Sequence, residues 1–294
     1  HNQANRSHRR APMELNALLA TPALLPSLPR AVALLMSELA HEEPNLRRVN
    51  QLFGTDPALA ARLLEKANSD AFAGPRTVAG ISEALALLGT ADLRELVSTA
   101  PLGTASRSVP GLNLQQFWRY SLAAAKFARS LAGSVHHSQA AAYTAGLLHG
   151  IGELLIHQAD PERVQSLNTL VAPLDLRRAK LEGRIFGYCY NQVSAGLAER
   201  WQLPEAVVDA LKYQHAPFEN RTYEPLAGVV HLAVWRVRAH EAGMDEKEMV
   251  VTFPDQVGLP LGLDIDMVLR QDPIDWNPKP EESADAADPD LYLV

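Results

Sequence analysis

A single cysteine, Cys189, is all the thiol in 294 residues. No intramolecular disulfide can form, and the chain reads as one adapted to a reducing compartment, the cytoplasm. Aromatic residues are scarce, 6% against 47% hydrophobic residues overall, and β-branched runs are few. A leucine- and alanine-rich chain of that kind predicts an all-α protein. No uninterrupted apolar run reaches the ~18–20 residues of a membrane-spanning helix, so no membrane is expected as a partner. The polar, basic start, residues 1–12, lacks the apolar segment of a secretory signal and reads as a tag or disordered arm ahead of Met13. There is no G-x-x-x-x-G-K-S/T, no G-x-G-x-x-G and no G-x-S-x-G, which argues against phosphate-loop, dinucleotide and serine-hydrolase chemistry. A concentrated basic face is also missing, so no nucleic acid is expected. The pairs Arg47-Arg48 and Arg177-Arg178 read as solvated faces.

The net charge of -7 hides an asymmetry. Residues 241–294 carry 14 acidic and 3 basic side chains, a balance of -11, while residues 1–240 carry 20 and 24, a balance of +4. The acidic end is spaced by Pro273, Pro278, Pro280 and Pro289, a disorder-like composition over Asp272–Val294, with one short helix expected over Leu261–Leu269. The charge split suggests that this tail covers the basic body.

Upstream, helical patterns follow one another. Ala31–Ala40 is a compact apolar helix, and Asn45–Gly54 a second with Asn45 as N-cap. Asp56-Pro57 opens a third, an N-cap followed by proline at the first helical position. Further helices are expected over Thr90–Ala100, Leu114–Leu131, Pro161–Val171, Leu176–Phe186, Tyr190–Trp201, the segment opened by Pro204, and the one opened by Pro225. Pro101–Gly111 is a polar loop and a natural hinge. At the centre stands Ala140–Ile156, an apolar helix-like run with His149 in its middle, followed by Gly150 and Gly152.

Two stretches carry a resemblance. Leu-Leu-His149-Gly150-Ile-Gly-Glu resembles the Leu-Leu-His-Asp-Ile-Gly-Lys signature of HD-type metal-dependent phosphohydrolases, with the aspartate missing. Asp56, Pro57, Leu59, Leu63, Leu64, Ala67, Asn68 and Ser69 match the Asp-Pro-x-Leu-x-x-x-Leu-Leu-x-x-Ala-Asn-Ser pattern of the HDOD family, degenerate HD relatives in bacterial signal transduction. Phe72 closes that stretch and Gly89 ends the similar Leu-Leu-Gly helix that follows. The resemblance covers about Leu24 to His240. It implies an N-terminal helical bundle (13–105) packed on an HD-like helical bundle (106–243), followed by an acidic extension (244–294). Asn68 and Ser69 are read as helix punctuation.

The same resemblance locates the metal ligands an HD enzyme would need. Tyr120 stands where the first histidine belongs, and the His-Asp pair is His149-Gly150. Tyr190 is the best match for another histidine, Gln214-His215 replaces a His-His pair, and Val234 replaces the last aspartate. Tyrosine binds metals poorly near its usual pKa of ~10, and glycine and valine offer no ligand. The resemblance therefore implies no metal, no cofactor and no catalysis, and a regulatory module acting through an unidentified protein partner. Cyclic-di-GMP signalling is the associated context. A divergent metal-dependent phosphohydrolase using His149 and His215 is the rival, and a small-molecule sensor lined by His149, Tyr120 and Tyr190 a third reading. As plain core chemistry, His149 would bond a backbone carbonyl or a tyrosine, or pair with Glu153 four residues on. His215 reads as partly exposed and capping carbonyls, His231 and Trp235 as an apolar stripe, His136-His137 as solvated, and Cys189 as inert. Oligomeric state is left open.

Overall fold

The computed structural model describes residues 11–21, 24–72, 74–103 and 109–276, and these contain helices and turns but no β-ladder, only an isolated bridge between Ser27 and Leu102. Six helices lie before residue 100: α1 (Leu15–Ala20), α2 (Pro29–Leu39), α3 (Leu46–Gly54), α4 (Pro57–Asn68), α5 (Ile81–Leu87) and α6 (Thr90–Ser98). Eight follow: α7 (Leu114–Ser134), α8 (Gln139–Leu148), α9 (Gly152–Ala159), α10 (Pro161–Asn168), α11 (Arg178–Phe186), α12 (Tyr190–Arg200), α13 (Glu205–Tyr213) and α14 (Pro225–Glu241). Three short ones close the described chain: α15 (Glu246–Thr252), α16 (Asp255–Gly258) and α17 (Ile265–Arg270).

The first bundle is organised by α4. Its N-cap Asp56 is fully buried, and Oδ1 accepts from Ala58 N at 2.8 Å and Leu59 N at 3.0 Å. The other oxygen accepts from the backbone N–H of Leu28, the residue that opens α2, so one carboxylate starts two helices. Pro57 at the first helical position has no N–H to satisfy. At the far end Ser69 Oγ donates to Lys66 O at 2.7 Å, as helix punctuation requires. Asn68 does more than punctuate: Nδ2 donates to Val78 O at 3.0 Å and Oδ1 accepts from Val78 N at 2.8 Å, clamping the strap that returns to α5. Phe72 packs half-buried against the core, and Gly89 caps α6 with its N–H on Asp92 Oδ2.

The second bundle packs α7 against α8 and α14, and α12 against α13 and α9. The two bundles meet through α4 on α7 and α8, where Tyr143 donates to Gly54 O and Thr144 to Ala79 O. α1, inside the range expected for the first bundle, lies instead on α9 and α12 of the second. The Pro101–Gly111 segment, read as a hinge, is pinned at both ends: Ser27 N donates to Pro101 O, and Asn168 Nδ2 to Gly111 O. Its residues 104–108 lie outside the described residues.

The single helix expected over Ala140–Ile156 is two. It breaks at His149–Ile151, because Gly150 and Gly152 weaken helix continuity and the Gly152 N–H bonds Ser194 Oγ at 2.9 Å instead of a helical carbonyl. Gly146 and Gly152 are demanded by close approach: a Cβ would lie 2.7 Å from Ala124 O at the first and 2.3 Å from Tyr190 O at the second. Gly150 differs, since a Cβ there meets only Phe117, at 3.4 Å.

The described part of the acidic extension, residues 244–276, is more ordered than its composition predicts. In place of one helix over Leu261–Leu269 there are α15, α16, a 3-10 turn at Leu259–Leu261 and α17. Residues 272–276, read as the start of a disordered tail, dock on the end of α14. Trp276 supplies the apolar anchor, its ring 4.0 Å from that of His240, while Asp272 pairs with Arg236 at 2.9 Å. The remaining residues of the tail, and the arm 1–10, lie outside the described residues.

Candidate functional site

The positions singled out in sequence converge. Tyr120 comes from α7, His149 from the turn after α8, Tyr190 from the start of α12, Gln214 and His215 from the end of α13, and Val234 from α14. The Tyr120 and His149 rings lie 5.0 Å apart, and Tyr190 meets His215 edge-on at 5.2 Å. Gly150 contributes backbone only.

A residue absent from the sequence reading ties the group together. Arg238 lies one turn beyond Val234 and two beyond His231 on the same face of α14, only 4% exposed. Its Nε donates to Tyr120 OH at 2.8 Å and its Nη2 to Tyr190 OH at 2.7 Å. Among the described residues no carboxylate forms an ion pair with it. Its signal in the sequence is an arginine inside the apolar run Leu-Ala-Val-Trp-Arg-Val-Arg, which periodicity alone does not distinguish from the solvent-facing arginines usual at helix ends.

The histidines resolve individually. His149 is fully buried, with Nδ1 2.6 Å from Gly146 O, the backbone-carbonyl option, leaving Nε2 buried and without a partner. Glu153 does not pair with it; its carboxylate is engaged by His157 and Arg178. Burial, reinforced by the Arg238 charge, pulls His149 down to about 4. His215 is partly exposed, as expected, but it caps no carbonyl: its ring packs on Tyr190 with Nε2 buried and unpartnered. Burial and then Arg238 depress it to about 3. Capping at that helix end falls to Gln214, whose Nε2 donates to Leu211 O and His149 O, both at 3.0 Å. His231 takes a polar partner rather than forming a stripe, with Nδ1 2.6 Å from Gln214 O. His136 and His137 are exposed.

Beside this group lies a second buried network. Arg178, read as part of a solvated pair, is fully buried: Nε donates to Glu182 Oε1 at 2.8 Å and Nη1 to Asn168 Oδ1 at 2.7 Å. Only its neighbour Arg177 is exposed, paired with Asp175. Glu153 lies 3.2 Å from His157 Nε2 and 3.4 Å from Arg178 Nε. Burial and the neighbouring Glu153 raise the Glu182 carboxyl, whereas the hydrogen bond to His157 and the Arg178 charge outweigh burial and lower Glu153. Glu182 Oε2 also accepts from Tyr190 N at 2.8 Å, so the network holds the tyrosine that Arg238 touches. Cys189 is half-buried, and burial pushes its thiol up to about 11, too high to supply a thiolate nucleophile at neutral pH.

The donor set does not suit a divalent metal. Two imidazole nitrogens, at His149 and His215, face it without a carboxylate, and a fixed guanidinium shares the space. Hard divalent ions are held by carboxylate oxygens, and two-metal hydrolysis needs charge-neutralising bridges. Three open clefts lie elsewhere: one of about 340 Å³ between the bundles near Asn50, Lys126 and Tyr143, an apolar one of about 460 Å³ near Leu24, Pro101 and Leu155, and one of about 500 Å³ near Arg129, Ser134 and Gln271.

The HDOD domain model matches residues 25–217. A curated relative, an uncharacterized protein of Treponema pallidum (strain Nichols), is 27% identical over 217 residues, 73% of this chain and 42% of that protein. The chain thus spans less than half of that relative's length. Among solved structures, the MmoQ response regulator of Methylococcus capsulatus superposes with a TM-score of 0.66 at 23% identity, covering 85% of this chain and 98% of that one. A virulence factor of Campylobacter jejuni gives 0.59 at 18% identity, covering 85% and 98%. These likenesses establish the fold. No helix among the described residues is long and apolar enough to cross a membrane.

Proposed function

Because the chain belongs to the HDOD domain family, we propose that it is a regulatory module of a signalling system, acting by binding a protein partner and performing no phosphoester chemistry. The observation that carries the non-catalytic part is Arg238. Its guanidinium occupies the inner face of α14 between Tyr120 and Tyr190, within electrostatic reach of both unpartnered imidazoles. A dication there would meet a fixed positive charge and no carboxylate, the reverse of what hydroxide generation and phosphate neutralisation require. The signalling part is supported by the family and by the response regulator among the structures that share this fold. The family resemblance associates the module with cyclic-di-GMP signalling.

The test is a metal analysis of protein purified without chelator, run beside a phosphodiesterase assay with added manganese. The expected result is no stoichiometric transition metal and no turnover above a protein-free control. Turnover that disappears in His149→Ala would instead establish a divergent metal-dependent phosphohydrolase.

A further inference from the structure

Arg238 is a buried cation whose neighbours leave it unneutralised. Nearby carboxylates are engaged elsewhere: Glu153 and Glu182 by Arg178, Asp175 by Arg177, and Glu241 by Gln116. Its two partners are neutral phenols, and each phenol, having accepted an N–H from the guanidinium, still has its own O–H to donate. The guanidinium engages described residues through Nε and Nη2, and the Nε2 atoms of His149 and His215 are buried without partners. An isolated buried charge is costly, and buried polar groups are as a rule satisfied. The backbone beside His149 also tolerates one more carbon. At Gly150, next to His149, the backbone does not adopt a positive φ and a Cβ meets only Phe117 at 3.4 Å, so no packing demand explains the missing side chain.

We propose that the space bounded by Tyr120, His149, Tyr190, His215 and Arg238 binds one small oxyanion, a carboxylate or phosphate group, as the counter-ion of Arg238. Arg238 supplies the charge, the two tyrosines supply O–H donors, and the Nε2–H tautomer of neutral His215 supplies an N–H. Guanidinium with converging hydroxyl donors is the arrangement that recognises carboxylate and phosphate. The half-buried His215 and His231 at the α13–α14 junction mark the route in. The site rests on the non-catalytic reading above, but the two fail separately: manganese-dependent turnover sinks that reading, and the measurement below sinks this one.

The experiment is thermal unfolding of the full chain at pH 7.5 in rising inorganic phosphate, for wild type, Arg238→Met and Gly150→Asp. The wild-type melting temperature should rise by about 2–4 °C more than that of Arg238→Met, the shift expected once ligand exceeds its Kd several-fold. Gly150→Asp adds a tethered carboxylate next to His149, whose ring the Arg238 charge reaches. It should melt above wild type without phosphate and respond no more than Arg238→Met. Parallel phosphate shifts in wild type and Arg238→Met would overturn the site, as would an undiminished response in Gly150→Asp. Should Arg238→Met fail to fold, the Gly150→Asp comparison decides alone.

Discussion

At Asp56 a single carboxylate receives the N–H groups of Leu28, Ala58 and Leu59, and burial raises its pKa to about 6 despite those bonds. Replacing it with alanine removes a cap, worth about 1 kcal/mol, and orphans the buried Leu28 amide for about 1–3 more. Asp56→Ala should therefore lose about 2–4 kcal/mol in denaturant unfolding. A loss no larger than an ordinary cap would show that Leu28 is not dependent on it. The capping half of this was legible in Asp-Pro followed by an apolar stripe, since capping is local. The bond to Leu28 was not, because it joins residues 28 apart. Arg178 and Arg238 were illegible for a different reason: a charge is assumed solvated until its partners are known, and theirs come from α9, α11 and α7, α12 respectively.

The helices meet where glycine permits it. The crossing of α7 with α8 at Gly146 and of α9 with α12 at Gly152 leaves no space for a methyl group, whereas Gly150 between them has space. Alanine at an unconstrained helical site stabilises by up to about 1 kcal/mol over glycine. The same change forced against backbone overpacks the crossing and costs about 1–3 kcal/mol. Gly146→Ala and Gly152→Ala should thus destabilise, while Gly150→Ala should stay near neutral. Equal losses at all three positions would mean that the turn itself, rather than the crossings, demands glycine. Element types were readable from periodicity and caps along the whole chain. The central helix was misjudged as continuous because its apolar pattern runs on through the turn, and the break is enforced by Ser194, 42 residues away.

On the scale of the molecule, the buried titratable groups set how stability follows pH. His149 and His215, depressed to about 4 and about 3 in the fold, return to about 6.5 when the chain unfolds. The unfolded chain therefore binds more protons below pH 6.5, and stability falls as pH drops from 6.5 towards 4. Asp56 and Glu182, raised in the fold, act in the opposite direction, so single groups are best separated by difference. Between pH 7 and 5 wild type should lose stability more steeply than His215→Gln, by up to about 1.4 kcal/mol per pH unit. Parallel pH curves would show that His215 is not held neutral. Arg238 has one consequence that concerns descent rather than stability. An aspartate at position 150, as in the HD signature, would meet the field of a fixed cation before that of a metal. The arginine would have to go first, and its loss strands two buried phenols. Neither change by itself therefore makes a metal site: the aspartate alone is spent on the cation, and loss of the cation alone leaves the phenols unpaired.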